Sequence, residues 1–112
     1  MKRPTDSSTF QRSNDPPVLI LTSLASGPKH GHALIKDIEN FAGVKIGPGA
    51  LYGAITRLEE RGLIEPLEAD ERRRPYRLTA AGSQALSQVV REMREISNVG
   101  ATRLGLKLGA WT

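Results

Sequence analysis

The chain contains no cysteine. That excludes a disulfide framework and removes the thiolate ligands of most structural zinc sites. Long apolar runs are missing too. The longest near-continuous one, Val18 to Leu21 with Leu24 and Ala25 close behind, falls far short of the roughly 20 residues that span a bilayer, so no membrane partner is expected. Lys2 and Arg3 are followed by Pro4, Thr5, Asp6, Ser7 and Ser8 instead of an apolar segment. A secretory signal is therefore not expected, and the expected location is cytoplasmic. There are two histidines, His30 and His32. A single His-x-His could at most begin a metal site or supply a base, and capping or turn packing explains it more simply.

Paired carboxylates are equally unpromising. Glu59 and Glu60 are neighbours on a helix, and Asp70 and Glu71 share a turn; nothing in either spacing arranges a shifted pKa for acid–base work. Gly47, Gly49 and Gly53 miss the dinucleotide fingerprint, whose third glycine would come one position earlier, and no Lys-Ser/Thr pair follows for a phosphate loop. Internal repeats and low-complexity tracts are also lacking. No enzymatic activity, cofactor or metal is expected.

What remains is a basic chain of 112 residues with net charge +4 and an isoelectric point near 9.9. The length suits one domain with a modest core, so association with a second copy is expected. The charge suits a polyanionic partner.

Residues 1–14 are polar, lack apolar periodicity and mix Lys2, Arg3 and Arg12 with Asp6. They read as a flexible N-terminal arm. Asp15 before Pro16 and Pro17 marks a helix start, and Val18 to Ala25 is apolar almost all round, as in a helix buried on most sides. Gly27-Pro28 ends it. A second helix follows the segment Lys29-His30-Gly31-His32, with Leu34, Ile35, Ile38, Phe41 and Ala42 at helical spacing up to Gly43.

A third helix is expected from Pro48 to Arg61, since Pro48 suits a first turn and Gly62 a left-handed stop. Leu51, Ala54, Ile55 and Leu58 share one face; Gly49, Ala50, Gly53, Thr56, Arg57 and Glu60 share the other. Propensity does not explain the small face, because a mid-helix glycine costs roughly 1 kcal/mol against alanine. Small residues let a backbone come close, either to a neighbouring element or to an external partner. After Gly62, a segment to Glu68, a turn bearing Arg72, Arg73 and Arg74, and the alternating Tyr76-Arg77-Leu78 read as a hairpin with a basic tip. Helix-turn-helix followed by such a hairpin is the winged-helix layout. In that layout a helix enters the major groove of DNA while the wing straddles phosphates.

Thr79 caps a last helix whose apolar stripe runs through Leu86, Val89, Val90, Met93 and Ile96, a seam to be buried against its own domain or a copy of itself. The small core favours the copy. Beyond Asn98 the stripe can continue through Ala101, Leu104, Leu108 and Trp111, although Gly100, Gly105 and Gly109 weaken a helix there.

Three phrases together resemble the PadR-like winged-helix transcriptional regulators, in particular the short branch with a single C-terminal dimerisation helix: Leu19 to Glu39, Gly47 to Glu65, and Arg72 to Gly82. The resemblance covers roughly Val18 to Leu86. It implies a dimeric repressor with the third helix in the major groove, the wing along the flanking backbone and the last helix crossing to the other subunit. It further implies a response to phenolic or drug-like small molecules. Tyr52 matches a tyrosine that the family holds near the DNA backbone, and Pro48 its helix-opening proline. His32 stands where tyrosine is common, Gly53 where proline is common, and Pro75-Tyr76 replaces a paired aromatic.

The expected fold is therefore mainly α with a small β-hairpin. An arm (1–14) precedes a winged helix-turn-helix (15–78) and a C-terminal dimerisation helix with its tail (79–112). The expected DNA-binding residues are Lys29, His30, Pro48, Gly49, Ala50, Tyr52, Gly53, Thr56, Arg57, Arg72, Arg73 and Arg74, against a two-fold symmetric duplex. Leu86, Val89, Val90, Met93 and Ile96 form the expected dimer interface, and Met93 and Trp111 would meet an aromatic effector. The rival reading is a winged-helix protein-interaction module without a DNA role.

Overall fold

Proline and glycine set the helix limits much as the sequence implies. The computed structural model describes residues 15–106. Along them run α1 (Pro16–Leu24), α2 (Gly31–Ala42), α3 (Pro48–Glu60), β1 (Ile64–Pro66), β2 (Tyr76–Leu78) and α4 (Ala80–Leu104). Gly43 and Gly62 both adopt the left-handed conformation that stops a helix, at φ 68° and 75°. Asp15 stands at the N-cap of α1 but makes no capping hydrogen bond. Pro17, one of the two positions that an N-cap side chain can reach, carries no N–H for it to accept.

α1 is the central strut, packed against α2, α3, α4 and β2. It buries Leu19, Ile20, Leu21, Ser23 and Leu24. Leu34 and Ile38 from α2, and Leu51, Ala54, Ile55 and Leu58 from α3, close around it. Each such Leu or Ile contributes about 1.5–3 kcal/mol of burial. Phe41, on the apolar spacing of α2, is instead half-exposed, although its neighbour Ala42 packs against the core. Ser23 is buried without penalty: its hydroxyl donates to Asp37 at 2.6 Å.

The hairpin pairs Ile64 with Leu78, Glu65 with Arg77 and Pro66 with Tyr76 in antiparallel register. Ile64 joins the core, while Arg77 and Glu65 form an exposed ion pair at 2.6 Å, worth at most about 1 kcal/mol. Further out, Asp70 and Arg73 exchange backbone hydrogen bonds of 2.7 and 2.9 Å across Glu71-Arg72. Both central residues have positive φ, 50° and 71°. That is the signature of the type I′ hairpin turn, usually built from Asn-Gly. Here two side-chain-bearing residues accept the strain.

One pairing is absent from the sequence reading. Lys29 exchanges both backbone hydrogen bonds with Tyr76, at 3.1 and 2.9 Å, as a one-residue third strand. It ties the start of α2 to the wing.

α4 is rooted on the end of α3. The Thr79 hydroxyl accepts from the Gly82 N–H at 3.0 Å, capping as expected, and donates to the Gly62 carbonyl at 2.6 Å. A Cβ at position 82 would overlap the Leu63 carbonyl oxygen, so only glycine fits. The helix runs on through Gly100 and stops at Gly105, φ 75°. The arm 1–14, and the tail holding Leu108 and Trp111, lie outside the described residues. Among the described residues, no helix is long and apolar enough to cross a membrane.

Candidate nucleic-acid interface

The outer face of α3 is bare. Among the described residues, an ideal Cβ built on Gly47 or Gly49 meets nothing within 4 Å, and one on Gly53 meets only the Arg57 Nη1, at 3.6 Å. The small residues therefore serve no close packing against another of the described elements. They leave a strip of exposed backbone beside Pro48, Ala50, Thr56 and Arg57, all exposed. The Arg57 guanidinium lies over Gly53, and the Thr56 hydroxyl donates back to the Tyr52 carbonyl at 2.9 Å.

Tyr52 leaves this strip and leans toward α2. Its ring is 49% exposed, and its hydroxyl end rests where a Cβ of residue 31 would be. Gly31 is thus needed for the contact. Sequence reasoning did not single it out; the available signal was a glycine opening a helix, where propensity disfavours it.

Between Tyr52, the start of α2 and the wing opens a cleft of about 270 Å³. It is lined by His30, Gly31, His32, Tyr52, Tyr76, Arg72, Arg73 and Arg74. Among the described residues, no carboxylate lines it. The Tyr76 phenol is pushed above its ordinary value, chiefly by burial and next by the Glu59 carboxylate and Tyr52, while Arg74 opposes the shift. It stays neutral and adds no negative charge to this basic pocket.

The residues expected to bind DNA divide by what else holds them. Gly49, Ala50, Gly53, Thr56 and Arg57 share the α3 strip; His30, Tyr52 and the three arginines share the cleft. His30 caps α2, its Nδ1 accepting from the Ala33 N–H at 3.3 Å, and its Nε2 stands 3.5 Å from the Arg73 Nη1. Arg74 braces the hairpin, donating from Nη1 to the Leu67 carbonyl at 2.9 Å. Lys29 departs from expectation. Its ammonium turns inward to the Ser23 carbonyl at 2.5 Å and the Ser26 hydroxyl at 2.7 Å, where the last carbonyls of α1 lie beyond the helix's own i to i+4 ladder.

The stripe of α4 also needs correction. Leu86, expected at a dimer seam, is 9% exposed and belongs to the chain's own core, since the first turns of α4 lie on α1 and β2. Val89 and Met93 are half-buried, whereas Val90 (38% exposed) and Ile96 (67%) face outward. A second cleft of about 360 Å³ opens beside Leu78, Leu86, Val90 and Arg91; Met93 is not among its walls.

Residues 20–88 match the family described as Transcriptional regulator PadR-like family. Over 81 residues the chain is 37% identical to a transcriptional regulator of Mycobacterium tuberculosis, covering 70% of this chain and 75% of that protein. It is 45% identical over 86 residues to an uncharacterized 37.1 kDa protein in a transposon of Streptomyces fradiae, covering 77% of this chain but only 25% of that protein. Its fold is similar to a PadR family transcription regulator of Clostridium difficile, with TM-score 0.72 and 26% identity over 80% of this chain and 97% of that one. A transcriptional regulator of Clostridium thermocellum is similar at TM-score 0.71 and 27% identity, covering 86% and 94%. The winged helix-turn-helix, the length of the family match and these likenesses agree, and the chain belongs to the PadR-like family of transcriptional regulators.

Proposed function

We propose that this protein binds a two-fold symmetric DNA duplex sequence-specifically as a homodimer and represses transcription there, until a small aromatic effector releases it. The observation that carries the DNA reading is the bare strip of α3, where a Cβ at Gly47 or Gly49 would have no neighbour within 4 Å among the described residues. A helix whose backbone is exposed on one side can lie deep in a major groove, with Thr56 and Arg57 reaching base edges. The arginine-walled cleft next to it suits the flanking phosphates.

The dimer reading is supported by the outward apolar residues of α4, Val90 and Ile96, with Met93 beside them. An effector acting at that seam would alter the spacing of the two α3 helices. Trp111, the single tryptophan, gives the readout for this part: saturable quenching by flat aromatic compounds is expected, and emission indifferent to all of them removes the effector.

The groove assignment is tested by fluorescence anisotropy on a duplex selected from a random pool. Arg57→Ala is expected to cost about 1–3 kcal/mol and to relax one position of the site if the contact is to a base. Affinity and specificity that ignore both Arg57→Ala and Thr56→Ala would overturn it.

A further inference from the structure

We propose that the cleft between α2 and the wing seats a single backbone phosphate of duplex DNA, held between the Nε2–H of His30 and the guanidinium of Arg73. This rests on the DNA-binding reading above and goes further, assigning His30 as a tautomer-locked positioning donor.

The argument begins with a conflict of hydrogen-bond roles. A neutral imidazole has one acceptor nitrogen and one donor nitrogen. His30 is approached by donors at both: the Ala33 N–H at Nδ1, 3.3 Å away, and the Arg73 Nη1 at Nε2, 3.5 Å away. It can accept from only one. The capping bond is fixed by the backbone of α2, whereas Arg73 is an exposed side chain, so the cap takes the lone pair. The proton is then on Nε2, and Nε2–H and the guanidinium face each other as two donors.

Two donors 3.5 Å apart are satisfied together by one shared acceptor. An oxygen about 2.8 Å from each nitrogen completes the triangle. A phosphate oxygen meets the requirement best, since an anionic acceptor strengthens both bonds and neutralises the arginine. Among the described residues, the walls carry no carboxylate that could occupy the place, and Arg72 adds further positive charge.

The spacing of the two donors is also held in advance. Residue 30 follows Lys29, whose backbone is paired twice with Tyr76, and Arg73 is paired twice with Asp70 on the same hairpin. Both donors thus hang from one hydrogen-bonded framework. The ordering cost on binding falls on two side chains and not on a loop.

The test uses the full chain and a selected duplex in which phosphates are replaced singly by neutral methylphosphonates. His30→Ser keeps a capping oxygen for Ala33 but removes the ring donor. On the unmodified duplex, His30→Ser and Arg73→Gln should each lose about tenfold in affinity. One phosphonate position in each half-site should cost the wild-type protein about as much and cost neither variant anything more. A His30→Ser protein that binds like wild type, or that loses further at every phosphonate position, overturns the proposal. Should that variant not fold, ¹⁵N NMR of the wild-type imidazoles decides: an unprotonated Nδ1 in free protein, with the Nε2–H shifted downfield by the duplex, is expected. A proton on Nδ1 overturns the idea. Wild-type protein that binds no duplex at all would remove the DNA reading itself, whereas the first two failures leave it standing.

Discussion

α3 and α4 are both two-faced helices, yet they dispose of their faces in opposite ways. The apolar side of α3 is wholly satisfied within the chain: Leu51, Ala54, Ile55 and Leu58 are all buried, and its other side sets Gly49, Ala50 and Gly53 beside Thr56, Arg57 and Glu60. α4 satisfies only its root. Leu86 reaches the core, but Val90, Ile96 and Leu104 are left exposed among the described residues. One helix exposes backbone, and the other exposes apolar side chains. The first suits a groove edged with phosphates, and the second suits apolar surface such as its own copy.

The largest expected break in that comparison is on α4. If its line is a dimer seam, Met93→Glu or Ile96→Glu would bury an unpaired carboxylate, costing about 3 kcal/mol or more of association. Sedimentation should then show a monomer that keeps its helical circular dichroism. A variant that still sediments as a dimer would move the interface elsewhere.

On α3 the two faces should answer with opposite signs. Leu51→Ala is expected to cost about 3 kcal/mol in urea unfolding, because it opens a cavity in the core. Gly53→Ala should raise stability by up to about 1 kcal/mol, since the new methyl meets only the Arg57 side chain at ordinary contact distance. The same change should weaken DNA binding by filling the strip. Gly53→Ala protein that is more stable and binds DNA unimpaired would show that the bare backbone has no part in the contact.

The smallest effect is at the wing tip. Arg72→Gly relieves a positive φ of 71° and should stabilise the hairpin by about 0.5–1 kcal/mol. Thermal unfolding measures the gain, and loss of stability would mean that the Arg72 side chain makes contacts worth more than the strain.

The sequence alone determined the order of the helices, the ends of the first three, the start of the last and the inward face of α3; that the last one continues through Gly100 to Leu104 it left open. Pro48, Gly43, Gly62 and Thr79 act through their own φ, missing donor or capping hydroxyl, and the 3.6-residue repeat acts along one continuous segment. Such signals are local, so they are readable in order along the chain. Only the tertiary structure decided that Lys29 pairs with Tyr76 and turns its ammonium onto α1, that Tyr52 needs glycine at residue 31, and that Gly82 lies against the Leu63 carbonyl. It also placed Leu86 in the core of its own chain and let Glu71-Arg72 turn without a glycine. Each of these depends on what packs next to the residue or on hydrogen bonds that close around it. Residue type and spacing carry no record of such neighbours until the folded chain brings them together.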